Sequence, residues 1–239
     1  MRLFRFGPKG QEKPGVLING QHKDCSEYFE DWNHVFFNNN GLNELRSLIA
    51  EKEDNLPAPP PNARFSSCVS RPHMLMCIGL NYSDHAAESG MEPPEEPVIF
   101  QKSTSAVQGP FDDVIIPKNS THTDWEVELG IVIGQNALYL ESPESAKSHI
   151  AGYCISHDVS EREFQIQRSG QWTKGKSCPT FNPLGPYLCP AEEIGDVNNL
   201  AMELKVNGTV KQSGNTKDMI FNAHFLVYYL SQFMLLEAG

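Results

Sequence analysis

Glu126 and Glu128 stand one residue apart in Trp125-Glu126-Val127-Glu128-Leu129-Gly130-Ile131-Val132-Ile133. Side chains alternate faces along a strand, so Trp125, Val127, Leu129, Ile131 and Ile133 read as a core face. The two glutamates then project side by side from the opposite face, followed by Gly130 and Val132. Carboxylates that close repel each other unless positive charge lies between them. A divalent cation answers that need, and oxygen-only ligands suit Mg2+, Mn2+ or Ca2+ better than zinc. The alternative is the solvated face of an edge strand. A third carboxylate, Asp158, follows the apolar run 151–156. That position suits a metal ligand, and equally a helix N-cap.

Four further side chains could work on a substrate. His85 and Glu88, in Gly79-Leu80-Asn81-Tyr82-Ser83-Asp84-His85-Ala86-Ala87-Glu88, are neighbours on one face if a turn leads into a short helix ending near Gly90. A carboxylate beside an imidazole fixes its tautomer and raises its basicity, as a general base requires; a surface ion pair has the same spacing. Lys102 and Lys176 lie in hydroxyl-rich, loop-like stretches, where a lysine can bind a substrate carboxylate, stabilise an oxyanion or simply face water. The zinc-protease pattern H-E-x-x-H is absent, as are G-x-S-x-G, the P-loop and the dinucleotide fingerprint.

The elements that must position these groups are partly legible. Residues 2–6 alternate, and 15–18 read as a strand running into an Asn19-Gly20 turn. Leu42, Leu45, Leu48 and Ile49 recur at helical spacing, so a short amphipathic helix is expected over 42–52. The stretch Pro57-Ala58-Pro59-Pro60-Pro61-Asn62 reads as a stiff linker, which divides the chain into a small N-terminal domain, residues 1–68, and a larger one, residues 69–239. Strands are expected over 74–78, 125–133 and 151–156. A hairpin is expected at 202–212, turning at Asn207-Gly208. Periodicity predicts a helix over 222–237 with Gly239 as its stop. Strands dominate and helices are few, which gives an α+β, mostly β fold class.

The 239 residues carry 19 Lys and Arg against 30 Asp and Glu, a net charge of −11, which argues against nucleic-acid or anionic-membrane partners. No apolar run is long enough to span a bilayer, and the start Met-Arg-Leu-Phe-Arg-Phe-Gly-Pro lacks a signal-peptide core. The six cysteines are scattered without C-x-x-C or zinc spacing, so reduced thiols and a cytoplasmic location are expected.

Six stretches in order across 70–239 resemble the fumarylacetoacetate hydrolase family: GLNYSDHAAE (79–88), PVIFQKSTSAVQGP (97–110), DWEVELGIVIG (124–134), HDVSEREFQ (157–165), WTKGKS with FNPLGP (172–186), and VNGTVKQSGNTKDMIF (206–221). The N-terminal stretch further resembles a bacterial branch whose members are called ureidoglycolate lyase or diketo-deoxy-sugar-acid hydrolase. The resemblance implies a mixed β-roll, usually a homodimer, with Mg2+ or Mn2+ held by Glu126, Glu128 and Asp158. It implies a water-activating dyad of His85 and Glu88, and Lys176 near the substrate carboxylate or developing oxyanion. Lys102 could bind a substrate carboxylate, and Arg162 and Gln165 match the family's D-V-S-x-R-x-x-Q run as supporting or substrate-contacting groups.

The implied activity is hydrolysis of a C–C bond in a small anionic substrate, a 2,4-diketo acid or acylpyruvate, through an enolate stabilised by the cation. Decarboxylation or keto–enol isomerisation at the same site, or a catalytically silent metal-binding relative, are the other readings. The family pattern usually continues past the last helix with a Gly-Asp turn, a strand and a Thr-Gly-Thr-Pro loop. This sequence ends at Gly239, so weaker substrate binding and an unpaired sheet edge are expected. Cys178-Pro179-Thr180 also departs from the pattern, which often has an acidic residue where Pro179 stands.

Overall fold

The computed structural model describes residues 1–83 and 92–239. Its N-terminal part is an antiparallel sheet of β1 (Arg2–Phe6), β2 (Lys13–Ile18) and β3 (Gln21–Asp24). Asn19 and Gly20 both take positive φ, 49° and 78°, the backbone that a tight hairpin turn needs and Asn-Gly tolerates. Along β1, Leu3, Phe4, Arg5 and Phe6 are all buried, so the alternation marks two covered faces. Arg5 is tolerated inside because its guanidinium donates to both Asp31 oxygens, at 2.6 and 2.8 Å. Helices α1 (His34–Asn38) and α2 (Gly41–Lys52) add Phe36, Phe37 and Leu45 to the core.

That core does not stop at the proline-rich stretch. Leu3, Val16 and Trp32 share one apolar cluster with Cys68, Val132, Ala151 and Leu184. Leu3 also exchanges both backbone hydrogen bonds with Leu188, at 2.9 and 2.8 Å.

The rest of the chain is a set of small sheets. β4 (Leu75–Gly79) pairs antiparallel with β5 (Val98–Lys102), and β6 (Val107–Gln108) pairs in parallel with β11 (Asn182–Pro183). β7 (Thr123–Asp124) pairs with β10 (Ser160–Glu161). β8 (Val127–Ile133) and β9 (Ile150–His157) are antiparallel, and β12 (Cys189–Pro190) completes the order β12-β9-β8. One helical turn, α3 (Thr173–Lys176), precedes β11. The chain closes with the hairpin β13 (Ala201–Val206) and β14 (Thr209–Asn215), then α4 (Ala223–Ser231). The fold is mostly β with few helices, as the sequence indicates.

β8 lies between two apolar layers. Leu129, Ile131 and Ile133 pack with Tyr153, Val227 and Leu230, while Val132 joins the N-terminal core. β8 is a terminal strand, but the Glu126 side chain is only 18% exposed and Glu128 is half-buried, so neither is on a fully solvated face. Trp125 departs from its expected place in the core face: it precedes the strand and is 37% exposed.

Two helical expectations are corrected. The last helix ends at Ser231 rather than near residue 237. Gln232 there donates its side-chain amide to the Leu140 carbonyl at 2.9 Å, and Leu236 pairs with Ala137, so competing backbone partners end the helix. Asp158 caps no helix, because Ser160 and Glu161 pair with β7 instead. All six cysteines are unbridged, and none of the described helices is long and apolar enough to cross a membrane.

Candidate functional site

The ends of β5, β8 and β9 converge with α3. Glu126 immediately precedes β8 and Asp158 immediately follows β9, and the Asp158 amide donates to the Glu126 carbonyl at 2.8 Å. This antiparallel closure brings two carboxylates distant in sequence to one end of the sheet. Glu128 lies opposite Ser156 within the same pair of strands.

Cations thread the cluster. The Lys176 ammonium donates to Glu126 Oε2 at 2.6 Å and to Asp158 Oδ2 at 2.8 Å. Arg162 holds the other Glu126 oxygen at 2.6 Å and Asp124 at 2.8 Å, and it donates to Gln165 Oε1 at 3.0 Å. Lys102 pairs with Asp158 Oδ1 and donates to the carbonyls of Val159 at 3.1 Å and Phe181 at 2.9 Å. Lys102 is fully buried, and those three acceptors match its three N–H donors. It was expected among the substrate contacts; in this structure its partners are all protein groups. Lys102 also sits at the end of a strand and Lys176 in a helical turn, rather than in loops.

Neighbouring charges tune each acid. Burial alone would raise the Asp158 pKa, but Lys102 and Lys176 hold it below the ordinary aspartate range. Glu128 goes the other way: burial, then repulsion from Glu126 and Asp158, push it to about 8, with Lys176 opposing. Among the described residues Glu128 makes no ion pair or side-chain hydrogen bond. Burial likewise depresses Lys102, against the pull of Asp158. Burial works against the Arg162 charge, but Glu126 and Asp124 raise its pKa overall.

Among the described residues no three His, Cys, Asp or Glu side chains are gathered closely enough to hold a metal as they stand. The Lys176 ammonium stands between two of the three expected ligands, Glu126 and Asp158. The donors themselves still suit a hard divalent cation: they are all carboxylate oxygens, and a positive group already bridges Glu126 and Asp158. His85 and Glu88 lie outside the described residues.

Two contributors were not singled out from sequence. Asp124 anchors Arg162. Gln212, on β14, accepts from the Val127 amide at 2.8 Å and donates to the Val127 carbonyl at 3.0 Å. Its side-chain amide thereby imitates a neighbouring strand at the residue between the two glutamates. The only sequence signal was a polar residue in the hairpin, which does not reveal what it faces.

Beside the cluster opens a cavity of about 240 Å3 with Glu128 and Asp158 in its wall. Its sides are apolar, from Met76 and Ile78 of β4, Leu129 and Ile131 of β8, and Leu226 of α4. β4 and β8 are both terminal strands of their sheets where they border it.

Fold and site together define a mostly β protein with buried carboxylates and lysines beside an apolar cleft. The chain belongs to the fumarylacetoacetate hydrolase family: residues 74–239 match the family model "Fumarylacetoacetate (FAA) hydrolase C-terminal". A Burkholderia ambifaria relative, assigned as a hydrolase without a named substrate, is 46% identical over 240 residues, covering 100% of this chain and 84% of its own length. Fumarylacetoacetate hydrolase from psychrophilic Exiguobacterium antarcticum superposes with a TM-score of 0.82 at 30% identity, over 100% of this chain and 84% of that one. Maleylpyruvate hydrolase from Sphingobium sp. SYK-6, solved with manganese(II) and pyruvate, gives 0.82 at 24% identity over 100% and 86%, a likeness of fold.

Proposed function

We propose that this protein is a divalent-cation-dependent hydrolase that cleaves a C–C bond in a 2,4-diketo acid or acylpyruvate. The observation that carries the reading is the meeting of Glu126 and Asp158 around one cationic group, with Glu128 facing the same cleft. Glu126, Glu128 and Asp158 would hold Mg2+ or Mn2+, and the manganese and pyruvate bound by the maleylpyruvate hydrolase support that choice. When bound, the cation supplies Lewis-acid polarisation of a keto oxygen and offsets the negative charge of an enolate.

The chain's own groups divide the remaining work. Lys102 fixes Asp158, and Arg162, steadied by Asp124 and Gln165, fixes Glu126. His85, with Glu88 as the dyad partner the family resemblance implies, takes a proton from water, whose oxygen attacks the carbonyl distal to the carboxylate. Lys176 faces the charge that develops on oxygen. The apolar cleft walls take the less polar end of the substrate. One water is consumed, the acyl part leaves as a carboxylic acid, and protonation of the enolate gives pyruvate or its analogue.

The N-terminal resemblance to the diketo-deoxy-sugar-acid hydrolase branch puts sugar-acid-derived diketo acids first among substrates. A homodimer and a cytoplasmic location belong to the same proposal. The test is a panel of acylpyruvates and diketo acids with Mg2+ or Mn2+, followed by pyruvate release. Turnover that vanishes in His85→Ala and Glu126→Ala supports hydrolysis. Turnover that survives His85→Ala and yields CO2 or an isomer instead of two acids would replace it with the decarboxylase or isomerase reading.

A further inference from the structure

The three cations of the cluster differ in how they are held. Lys102 has two backbone carbonyls besides Asp158, and Arg162 has Asp124 and Gln165 besides Glu126. Among the described residues, Lys176 is tied by hydrogen bonds only to the two carboxylates, with the Phe100 ring 5.1 Å from its nitrogen. Each carboxylate is also divided between two cations. Glu126 gives Oε1 to Arg162 and Oε2 to Lys176; Asp158 gives Oδ1 to Lys102 and Oδ2 to Lys176. Withdrawing one side chain, Lys176, frees one oxygen on each of two acids, next to Glu128, which has no ion pair among the described residues. Withdrawing either of the others frees a single oxygen and strands further polar partners.

We infer that Lys176 is an internal cation that competes with the divalent metal for Glu126 and Asp158, so that metal uptake is an exchange which releases the ammonium toward the cleft. Lys102 and Arg162 remain on the outer oxygens and keep the two acids oriented through the exchange. The Phe100 ring already lies beside the ammonium, 5.1 Å from its nitrogen, and favours a cation there. The inference rests on the metal-dependent reading above and adds a role for Lys176 that precedes any contact with substrate. A buried lysine between the ligands offsets the repulsion of two carboxylates that lie close together.

The test is direct Mn2+ binding to the full chain, by calorimetry and by the electron-spin resonance of free Mn2+, with no substrate present. Lys176→Met is expected to bind at least about tenfold more tightly than the unaltered protein, because the metal no longer displaces a charge. Lys176→Arg, which retains a cation, is expected to stay near or below the original affinity. Lys174→Met removes the same charge from the exposed lysine two positions earlier and is expected to change affinity by less than about twofold. If Lys176→Met is too unstable without metal, its rise in Tm on saturation with Mn2+ must exceed that of the unaltered protein. Equal or weaker binding by a folded Lys176→Met overturns the exchange while leaving the metal reading intact. Absence of binding by both folded proteins overturns the metal reading itself, and the exchange with it.

Discussion

At the scale of single residues, Glu128 is the acid of the site that folding keeps protonated. Its pKa, raised from 4.5 to about 8 by burial and by its acidic neighbours, means that the folded protein binds a proton there that the unfolded chain has released. The sign follows: this group's contribution to stability is fully present below about pH 4.5 and is lost as pH rises through about 8. In chelator-treated buffer, Glu128→Gln is expected to flatten the fall in stability across that window, read from urea midpoints at several pH values. An unchanged slope would remove Glu128 as its source. Lys102→Met is expected to cost about 3–5 kcal/mol, since it leaves Asp158 short of a cation and two buried carbonyls unpaired; urea denaturation at neutral pH measures it. The paired glutamates were legible as candidates because their spacing is itself informative, although Glu126 falls just before the strand. The assignments of the lysines and Arg162 were not, because which cation meets which acid is decided by strand ends far apart in sequence.

Elements supply the precision. The Val127 backbone is held on one side by the Gln212 amide, and Val127 lies opposite His157 on the other. Gln212→Ala is therefore expected to cost about 1–3 kcal/mol and to weaken divalent-metal binding by misaligning Glu126 and Glu128, with Gln212→Asn giving no rescue because its amide is a carbon shorter. Chemical denaturation and metal titration read the two effects separately. Gly175 has a comparable role next to Lys176: a Cβ there would come within 2.4 Å of the Glu161 carbonyl oxygen and 2.6 Å of the Gln165 amide nitrogen. Gly175→Ala should push α3 away from 161–165 and cost about 1–3 kcal/mol, measurable as a lower Tm with Lys176 left in place chemically. Short-range patterns made β2, α2 and the 201–215 hairpin readable, because turn chemistry and periodicity are local. The end of the last helix was not readable, because Leu140 and Ala137, about ninety residues earlier in the chain, supply the contacts that stop it.

Across the whole molecule, the N-terminal sheet and the larger part share one apolar core through Leu3, Val16, Val132, Ala151 and Leu184. A single cooperative unfolding transition is expected, with fluorescence of Trp32 and far-ultraviolet dichroism coinciding; two separated transitions would contradict that coupling. The proline-rich punctuation at 57–61 was visible in sequence, but packing across it was not, since periodicity says which residues are buried and not against what. The same long-range closure builds the carboxylate cluster beside the cleft, and on that cluster the functional account rests. Its most direct test is calorimetric titration of the purified chain with Mn2+, with and without oxalate as an enolate mimic. The account predicts one saturable site, tightened by oxalate and lost in Glu126→Ala. A folded protein that takes up no Mn2+, or takes it up equally well after Glu126→Ala, would contradict it.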